Sequence, residues 1–525
     1  MTQKADDRWE LTDYTLIPVS SEVEPDQATQ ERINALMDTV DTNYLAGFGY
    51  TREEVLAENA VEFNSLDEMG TKHEELNLGD IMDKLISFAL PLMVSSILQL
   101  MFNAVDIIVI GRFSGSQSLA AVGSTTALIA VFTNLFIGIS LGANVLAARF
   151  YAAGRHKEMS ETVHTAITLA LISGILMAVI GQLFARSALE LMATPDDIIN
   201  LSSLYLRIYF LGMPFFMLYN YGAAILRAVG DTKRPLFFLI ISGSVNAILN
   251  LLLVIVFHLD VAGVAISTVI AQMISCTLVL TCLYRSDSSY QLRFSKLKIQ
   301  PLYMKQIFQV GVPAGIQSTV INFSNVLLQS SVNSFGSTAM AGYTAANNIF
   351  GFMYVSVNAV TQACMSFTSQ NYGVGKYKRM DRVLRDCMIL SVSVSLIMGI
   401  LVYVFGPELL HIYTSEEDVI QCGMEILTYT TLTYFFCGLM DLFPGALRGM
   451  GHSTVPMILS IVGTVGLRIV WIFLLFPHNR SLDFLFISYP ASWILTFIMQ
   501  IICFYFVRKK VHRELKSLVS SEQQS

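Results

Sequence analysis

The sequence predicts an all-α membrane protein: twelve transmembrane helices in two pseudo-symmetric six-helix halves, preceded by an acidic N-terminal cytosolic extension. Three observations carry that expectation. Hydrophobic residues make up 54% of the 525 positions and charged residues 14%, whereas soluble domains carry roughly 25% charged residues. A soluble chain of this length could not cover its surface with so few charges. Apolar runs of membrane length follow one another from Lys84 onward. Finally, the chain repeats itself at a constant offset.

A helix needs about 20 mostly apolar residues to cross the hydrocarbon core. Twelve runs qualify, near 85–110, 118–148, 163–185, 204–226, 236–257, 261–283, 307–334, 339–368, 386–405, 424–446, 457–477 and 484–507. The second and eighth exceed one crossing and should project past the bilayer with polar ends. The breaks after even-numbered runs, with the C-terminal tail, hold 22 Lys and Arg, among them Arg155, Lys233, Lys296, Lys376 and Arg508. The breaks after odd-numbered runs, counted with the first residues of the run that follows, hold four: Arg112, Arg186, Arg207 and Arg480. The positive-inside rule then places the even breaks and both termini in the cytoplasm of a cell (inner or plasma) membrane.

Residues 1–80 hold 19 acidic and 5 basic side chains, a net of −14, while the whole chain is −7. They contain no charged-then-apolar leader and read as cytosolic. Helices are expected near 26–40 and 51–61, the second opened by a capping box of Thr51 and Glu54. The organisation is therefore 1–80 extension, 81–300 N-terminal six-helix half and linker, 301–510 C-terminal half and 511–525 cytosolic tail. No basic stripe is interleaved with aromatics, which argues against nucleic acid as a partner. Seven cysteines, including Cys276, Cys282, Cys364 and Cys437, sit mostly in apolar runs and read as small core residues.

The repeat is visible in its loops. Leu226-Arg227-Ala228-Val229-Gly230-Asp231, closed by Pro235, matches Leu447-Arg448-Gly449-Met450-Gly451-His452, closed by Pro456, at an offset of 221 residues. The same offset maps Tyr151-Ala152-Ala153-Gly154-Arg155 onto Tyr372-Gly373-Val374-Gly375-Lys376, and Pro91 corresponds to Pro313 within one residue. Both halves begin on the same side, so they are parallel repeats about an axis along the membrane normal. The cleft between such halves is the natural substrate path. In each loop the arginine is expected to serve the helix C-terminus and the inner headgroups. Gly230 and Gly451 suit C-terminal caps, and the prolines suit the first turn of the next helix.

Pro91, Gln99, Asp106 and Gly111-Arg112-Phe113, followed by Leu119-Ala120-Ala121, resemble the multidrug and toxic compound extrusion (MATE) family. So do both Leu-Arg-x-x-Gly loops and Gln370-Asn371-Tyr372-Gly373. The resemblance covers roughly residues 82–510, and its motifs fall in order. It implies a twelve-helix antiporter that exports small organic, often cationic, compounds against an inward Na⁺ or H⁺ gradient. No cofactor beyond that coupling ion is implied.

Ionisable residues inside a span are functional candidates, because an unpaired charge there is costly. Asp106 lies five residues before Gly111, about 8 Å from the outer end of its helix. Asn250 is seven residues before Phe257 and Thr268 seven after Val261, each about 10 Å deep. Asn246 is one turn from Asn250 on the same face. Four oxygen-bearing side chains on three helices thus share one level. Oxygen ligands suit a hard cation such as Na⁺, with Asp106 as the charged metal ligand, and a lone carboxylate among apolar groups suits proton uptake. The resemblance implies the same four positions as a cation or proton site, with an aspartate common where this chain has Asn250.

In the C-terminal half, Asp441 lies about 10 Å from the inner end of its helix and Arg468 about 18 Å in, near the midplane. The two either pair with each other or serve binding. Gln317, Asn322, Asn325, Asn347 and Asn348 are candidates to line a substrate cavity, with Asn358 beside them, and singly each reads as a helix–helix hydrogen bond. Met353, Met365, Phe350 and Phe352 read as lipid-facing packing or a plastic apolar wall. No His-Glu-x-x-His, Cys-x-x-Cys or nucleotide-binding Gly-x-x-x-x-Gly-Lys is present, so an enzymatic or ATP-driven reading finds no support. The alternatives are a flippase for lipid-linked oligosaccharide or peptidoglycan precursors, which would need several buried cations, and a receptor or scaffold built on the acidic extension.

Overall fold

The computed structural model describes residues 78–522 apart from Ala193, together with two short strands, Thr2–Gln3 and Trp9–Glu10; the helices expected at 26–40 and 51–61 lie outside the described residues. The chain forms two units, Met82–Arg508 and a second of Met1–Ile81 with Lys509–Ser525. The first is the helical body. In hydrocarbon every backbone N–H and C=O must be satisfied within the chain, and long apolar helices do this segment by segment.

The first half holds α1 (Leu78–Phe113), α2 (Ser116–Ala152), α3 (His156–Leu191), α4 (Ile199–Leu211), α5 (Met213–Ala228), α6 (Lys233–Leu251) and α7 (Asp260–Tyr284). The second holds α8 (Pro301–Asn333), α9 (Ser337–Gly373), α10 (Tyr377–Val404), α11 (Gly406–His411), α12 (Glu417–Thr430) and α13 (Tyr434–Gly449). It ends with α14 (Thr454–Ser460), α15 (Leu467–Val470), α16 (Leu482–Phe486) and α17 (Ser488–Glu522). Among the described residues nine helical stretches are long and apolar enough to cross a membrane, and two bent pairs add one crossing each. The twelfth is α8, whose 33 residues include Gln317, Asn322 and Asn325 and are correspondingly less apolar.

Two runs that read as single helices are broken. The α4–α5 pair bends by 47° and α12–α13 by 53°. Pro214, in the first turn of α5, has no N–H to continue the ladder. In the other pair, the hydroxyls of Thr430, Thr431 and Thr433 donate back to the carbonyls of Ile426, Leu427 and Tyr429 at 2.6, 2.6 and 2.9 Å. Such back-bonding bends helices.

The repeat is structural. α2 and α9 both have 37 residues, and α5 and α13 both have 16. Among the described residues the glycines with positive φ are Gly115, Gly154, Gly230, Gly336, Gly375 and Gly451, three pairs each 221 apart. Only glycine adopts that region without steric cost. Gly230 and Gly451 close the two Leu-Arg-x-x-Gly helices: Asp231 N–H returns to Leu226 O and His452 N–H to Leu447 O, both at 2.9 Å. Pro235 and Pro456 are each the third residue of the next helix.

Each half has its own core, built around Met213, Met217 and Tyr221 in the first and Tyr343, Met353 and Phe486 in the second. Met353 and Met365 are both buried in protein, which corrects the lipid-facing reading; only Phe350 and Phe352 stay half-buried. All seven cysteines are free thiols.

The halves meet along α2, α8 and α9. A Cβ at Gly138 of α2 would fall 2.3 Å from Gly315 Cα of α8, so the two backbones touch. Ser366 Oγ donates to Asn144 Oδ1 at 3.0 Å, Ser369 Oγ to Val145 O at 2.6 Å and Gln370 Nε2 to Ala228 O at 2.8 Å. Arg149 lies over the ring of Tyr372, 4.6 Å from its centroid. Gly138 meets the first half of α8 from the second half of α2, and the other contacts join the last turns of α2, α5 and α9, toward the end of the bundle that carries the Lys- and Arg-rich breaks.

Candidate functional site

Close approach sets the level of Asp106. Gly243 of α6 packs against the ring of Phe102, one turn before Asp106 on α1, where a Cβ would overlap the ring. Asn246 and Asn250 follow Gly243 on the same face of α6. Directly after Asn250 the helix widens into one π turn, Leu252–Val256. The chain then reverses tightly through His258 and Asp260, both with φ 51°. Ser118 Oγ donates to Asp260 Oδ2 at 2.9 Å and fixes this corner. π turns recur at functional sites because they re-aim side chains of the helix they interrupt.

The four predicted residues form one network. Asn250 Nδ2 donates to Asp106 Oδ1 and, at 3.4 Å, to Asn246 Oδ1. Asn246 Nδ2 donates to Thr268 Oγ1 at 3.4 Å, and Thr268 Oγ1 also donates to Val264 O at 2.9 Å. Ser267 Oγ donates to Asn250 Oδ1. Sequence reasoning missed Ser267. It chose Thr268 from depth and from the resemblance, yet Ser267 is the fully buried neighbour and Thr268 only half-buried. Tyr205 and Tyr209 of α4, a stacked pair with ring centroids 6.1 Å apart, lie within electrostatic reach of Asp106. Periodicity gave no sign of them, because nothing in one helix's pattern says which neighbour it will face.

The second half departs from expectation. Among the described residues no ion pair joins Asp441 to Arg468. Arg468 Nη1 donates to Asn325 Oδ1 at 2.8 Å, its Nε to Ser492 Oγ at 3.3 Å, and its guanidinium lies 4.6 Å from the ring centroid of Tyr489. The reason is packing: the segment carrying Arg468 lies on α8, while α13, which carries Asp441, packs on α9 and α10.

Arg448 also corrects the sequence reading, which sent it to the headgroups. Its Nη2 donates to Gln317 Oε1 at 2.7 Å, and its Nε is buried. Gly445 and Gly449 seat the last turns of α13 on Thr361, Met365 and Thr368 of α9, which turns Arg448 along α8 and not outward. Asp441, two turns earlier on α13, is its electrostatic neighbour. Of the remaining candidates, Asn322 and Asn348 are exposed and Asn347 is half-buried. Asn358 accepts from Gln362 Nε2 at 2.9 Å. No hydrogen bond among the described residues ties Asn322, Asn347 or Asn348 to the two arginines.

The MatE family pattern matches residues 91–252 and again 313–474, one match in each half. The chain belongs to the MatE family. This is a family of multi-pass membrane transporters, and its two matched segments coincide with the structural repeat. The chain is 29% identical over 434 residues to the probable multidrug resistance protein YoeA of Bacillus subtilis, covering 81% of this chain and 93% of that one. It is 25% identical over 396 residues to the probable multidrug resistance protein NorM of Thermotoga maritima, covering 73% and 83%. The fold matches the bent form of the Vibrio cholerae MATE transporter VcmN with a TM-score of 0.76 at 19% identity, over 83% of this chain and 98% of that one. An outward-facing multidrug resistance MATE transporter of the MOP superfamily matches with a TM-score of 0.77 at 18% identity, over 82% and 97%. Twelve helices in two halves is therefore the fold of this MatE chain.

Proposed function

We propose that this MatE protein is a secondary active antiporter of the cell membrane that exports small organic, often cationic, compounds in exchange for Na⁺ or H⁺. Both termini then face the cytoplasm, and the tight contacts at the Lys- and Arg-rich end support a state closed on the cytoplasmic side. The observation that carries the reading is the Asp106 network: one carboxylate on α1, accepting from the Asn250 amide and linked through it to neutral polar side chains on α6 and α7.

The network supports coupling in the following way. With Asp106 ionised, Asn250 donates to it and ties α1 to α6. A proton or Na⁺ on Asp106 removes the charge that this amide stabilises. Rotating the Asn250 amide by 180° would present Oδ1 to a cation and Nδ2 to Ser267 Oγ, which accepts as readily as it donates. Either way α1 is held differently when the ion is bound, and a bound ion and a cationic substrate compete for one negative charge. That competition is what exchange requires. Multidrug relatives favour small organic cargo over a lipid-linked precursor.

The test is dye efflux from proteoliposomes under Na⁺ and H⁺ gradients imposed separately. Gradient-driven efflux with either ion supports the reading. Efflux that ignores both gradients would refute it.

A further inference from the structure

The first, fifth and sixth spans build the Asp106 network, on α1, α6 and α7. The seventh, eleventh and twelfth spans, their repeats, build a second one from Asn325 on α8, Arg468 on α15, and Tyr489 and Ser492 on α17. The step of 222 residues that relates Pro91 to Pro313 also relates Asn246 to Arg468 and Asn103 to Asn325. The same three-helix corner of each half therefore carries a polar cluster. Their charges are opposite: a carboxylate in the first half, a guanidinium in the second.

Arg468 is 3% exposed. Its partners are a neutral amide oxygen, a hydroxyl and an aromatic face, and no carboxylate pairs with it among the described residues. A guanidinium held this way in a membrane is expensive, and such charges are kept where a counter-charge arrives. Arg448 differs: it donates to Gln317 of α8 and has Asp441 as a charged neighbour, so Arg468 is the one held by neutral groups. One turn before Asn325, Asn322 is exposed. A polar amide uncovered at that depth fits an aqueous opening better than lipid.

We propose that Arg468, with Asn325 and Ser492, forms an anion-accepting site in the second half, the opposite-charge counterpart of the Asp106 network. It takes either a carboxylate or sulfonate of the transported compound or a free inorganic anion such as chloride. With the first source, the preferred cargo is amphoteric, its amine competing at the Asp106 half and its anion seated on Arg468. This assignment rests on the exporter reading for its transport arm, but not for its binding arm.

The experiment uses a zwitterionic rhodamine with a free carboxylate and its ethyl ester, each in chloride and in gluconate. Binding to the purified full-length protein is measured by fluorescence polarisation, and efflux from proteoliposomes by dye release. Wild-type protein should bind the zwitterion more tightly than the ester. Arg468→Gln should weaken the zwitterion roughly ten- to hundredfold, the loss expected for hydrogen bonds to a charged group, and leave the ester within about twofold. Asn325→Asp places a carboxylate on Arg468 from within, so it should also weaken zwitterion binding while the melting temperature holds. If chloride is the occupant, the wild type binds and exports the ester better in chloride than in gluconate, and Arg468→Gln abolishes that difference. Equal effects of both variants on zwitterion and ester, in both anions, would overturn the proposal and leave Arg468 as a packing residue. Arg468-dependent binding without any efflux would refute the exporter reading and leave the anion site standing.

Discussion

Asn250 donates its side-chain amide to the carboxylate of Asp106 while accepting from Ser267, so the one acidic side chain of the network is tied through a single amide to the two helices beside it. Asn250 and Ser267 are fully buried. An amide in that position has no water to substitute for a lost partner, which makes each member of the network sensitive to small changes.

Asn250→Asp tests the electrostatic side of this link. Two carboxylates in one apolar pocket cannot both stay ionised unless a cation sits between them, so the pair retains a proton to higher pH than Asp106 alone. The pH of maximal efflux should therefore move upward without Na⁺, and the shift should shrink when Na⁺ is added. Efflux-versus-pH curves that superimpose for both proteins in all conditions would show that Asn250 does not feel the charge of Asp106.

Ser267→Ala tests the packing side. It removes the donor to Asn250 Oδ1 and leaves a buried acceptor unsatisfied, at a cost of about 1–3 kcal/mol. The variant should melt earlier in detergent and show reduced efflux. Thr268→Val removes a weaker contact at a half-buried position and should cost less. The reverse order of melting temperatures would mean that Thr268 carries the network.

Much of this architecture was legible in the sequence, for physical reasons. Membrane helices announce themselves by length and apolarity, and the loop glycines that need positive φ recur at the offset read from Leu226-Arg227 and Leu447-Arg448. Depth arithmetic brought Asp106, Asn246, Asn250 and Thr268 to one level because helices rise uniformly along the bilayer normal. What arithmetic along one axis cannot give is rotation about it. That is why Ser267 was passed over for Thr268, and why Asp441 and Arg468, plausible partners in sequence, face different neighbours. Arg448 was read as a headgroup anchor because nothing in its loop reveals that Gln317 lies beside it.

The contact of Gly138 with Gly315 makes a prediction about conformation. Gly138→Leu cannot be housed against a backbone at 2.3 Å. It should separate α2 from α8 and bias the protein away from the state closed at its Lys- and Arg-rich end. In a variant lacking the seven native cysteines, a Ser369→Cys probe should then react faster with a membrane-impermeant maleimide applied from that side. Unchanged labelling would mean that the halves are held together elsewhere.

The central claim is that Asp106 carries the coupling. The direct measurement is dye efflux by wild-type and Asp106→Asn protein in proteoliposomes, with inward Na⁺ and H⁺ gradients imposed one at a time and matched protein insertion. Replacing the carboxylate removes the only charge of the network but keeps its size and its capacity to accept from Asn250. The account predicts that the variant inserts and folds normally yet loses gradient-driven efflux with either ion. Wild-type rates in the Asp106→Asn protein would contradict it and move the coupling site to another residue.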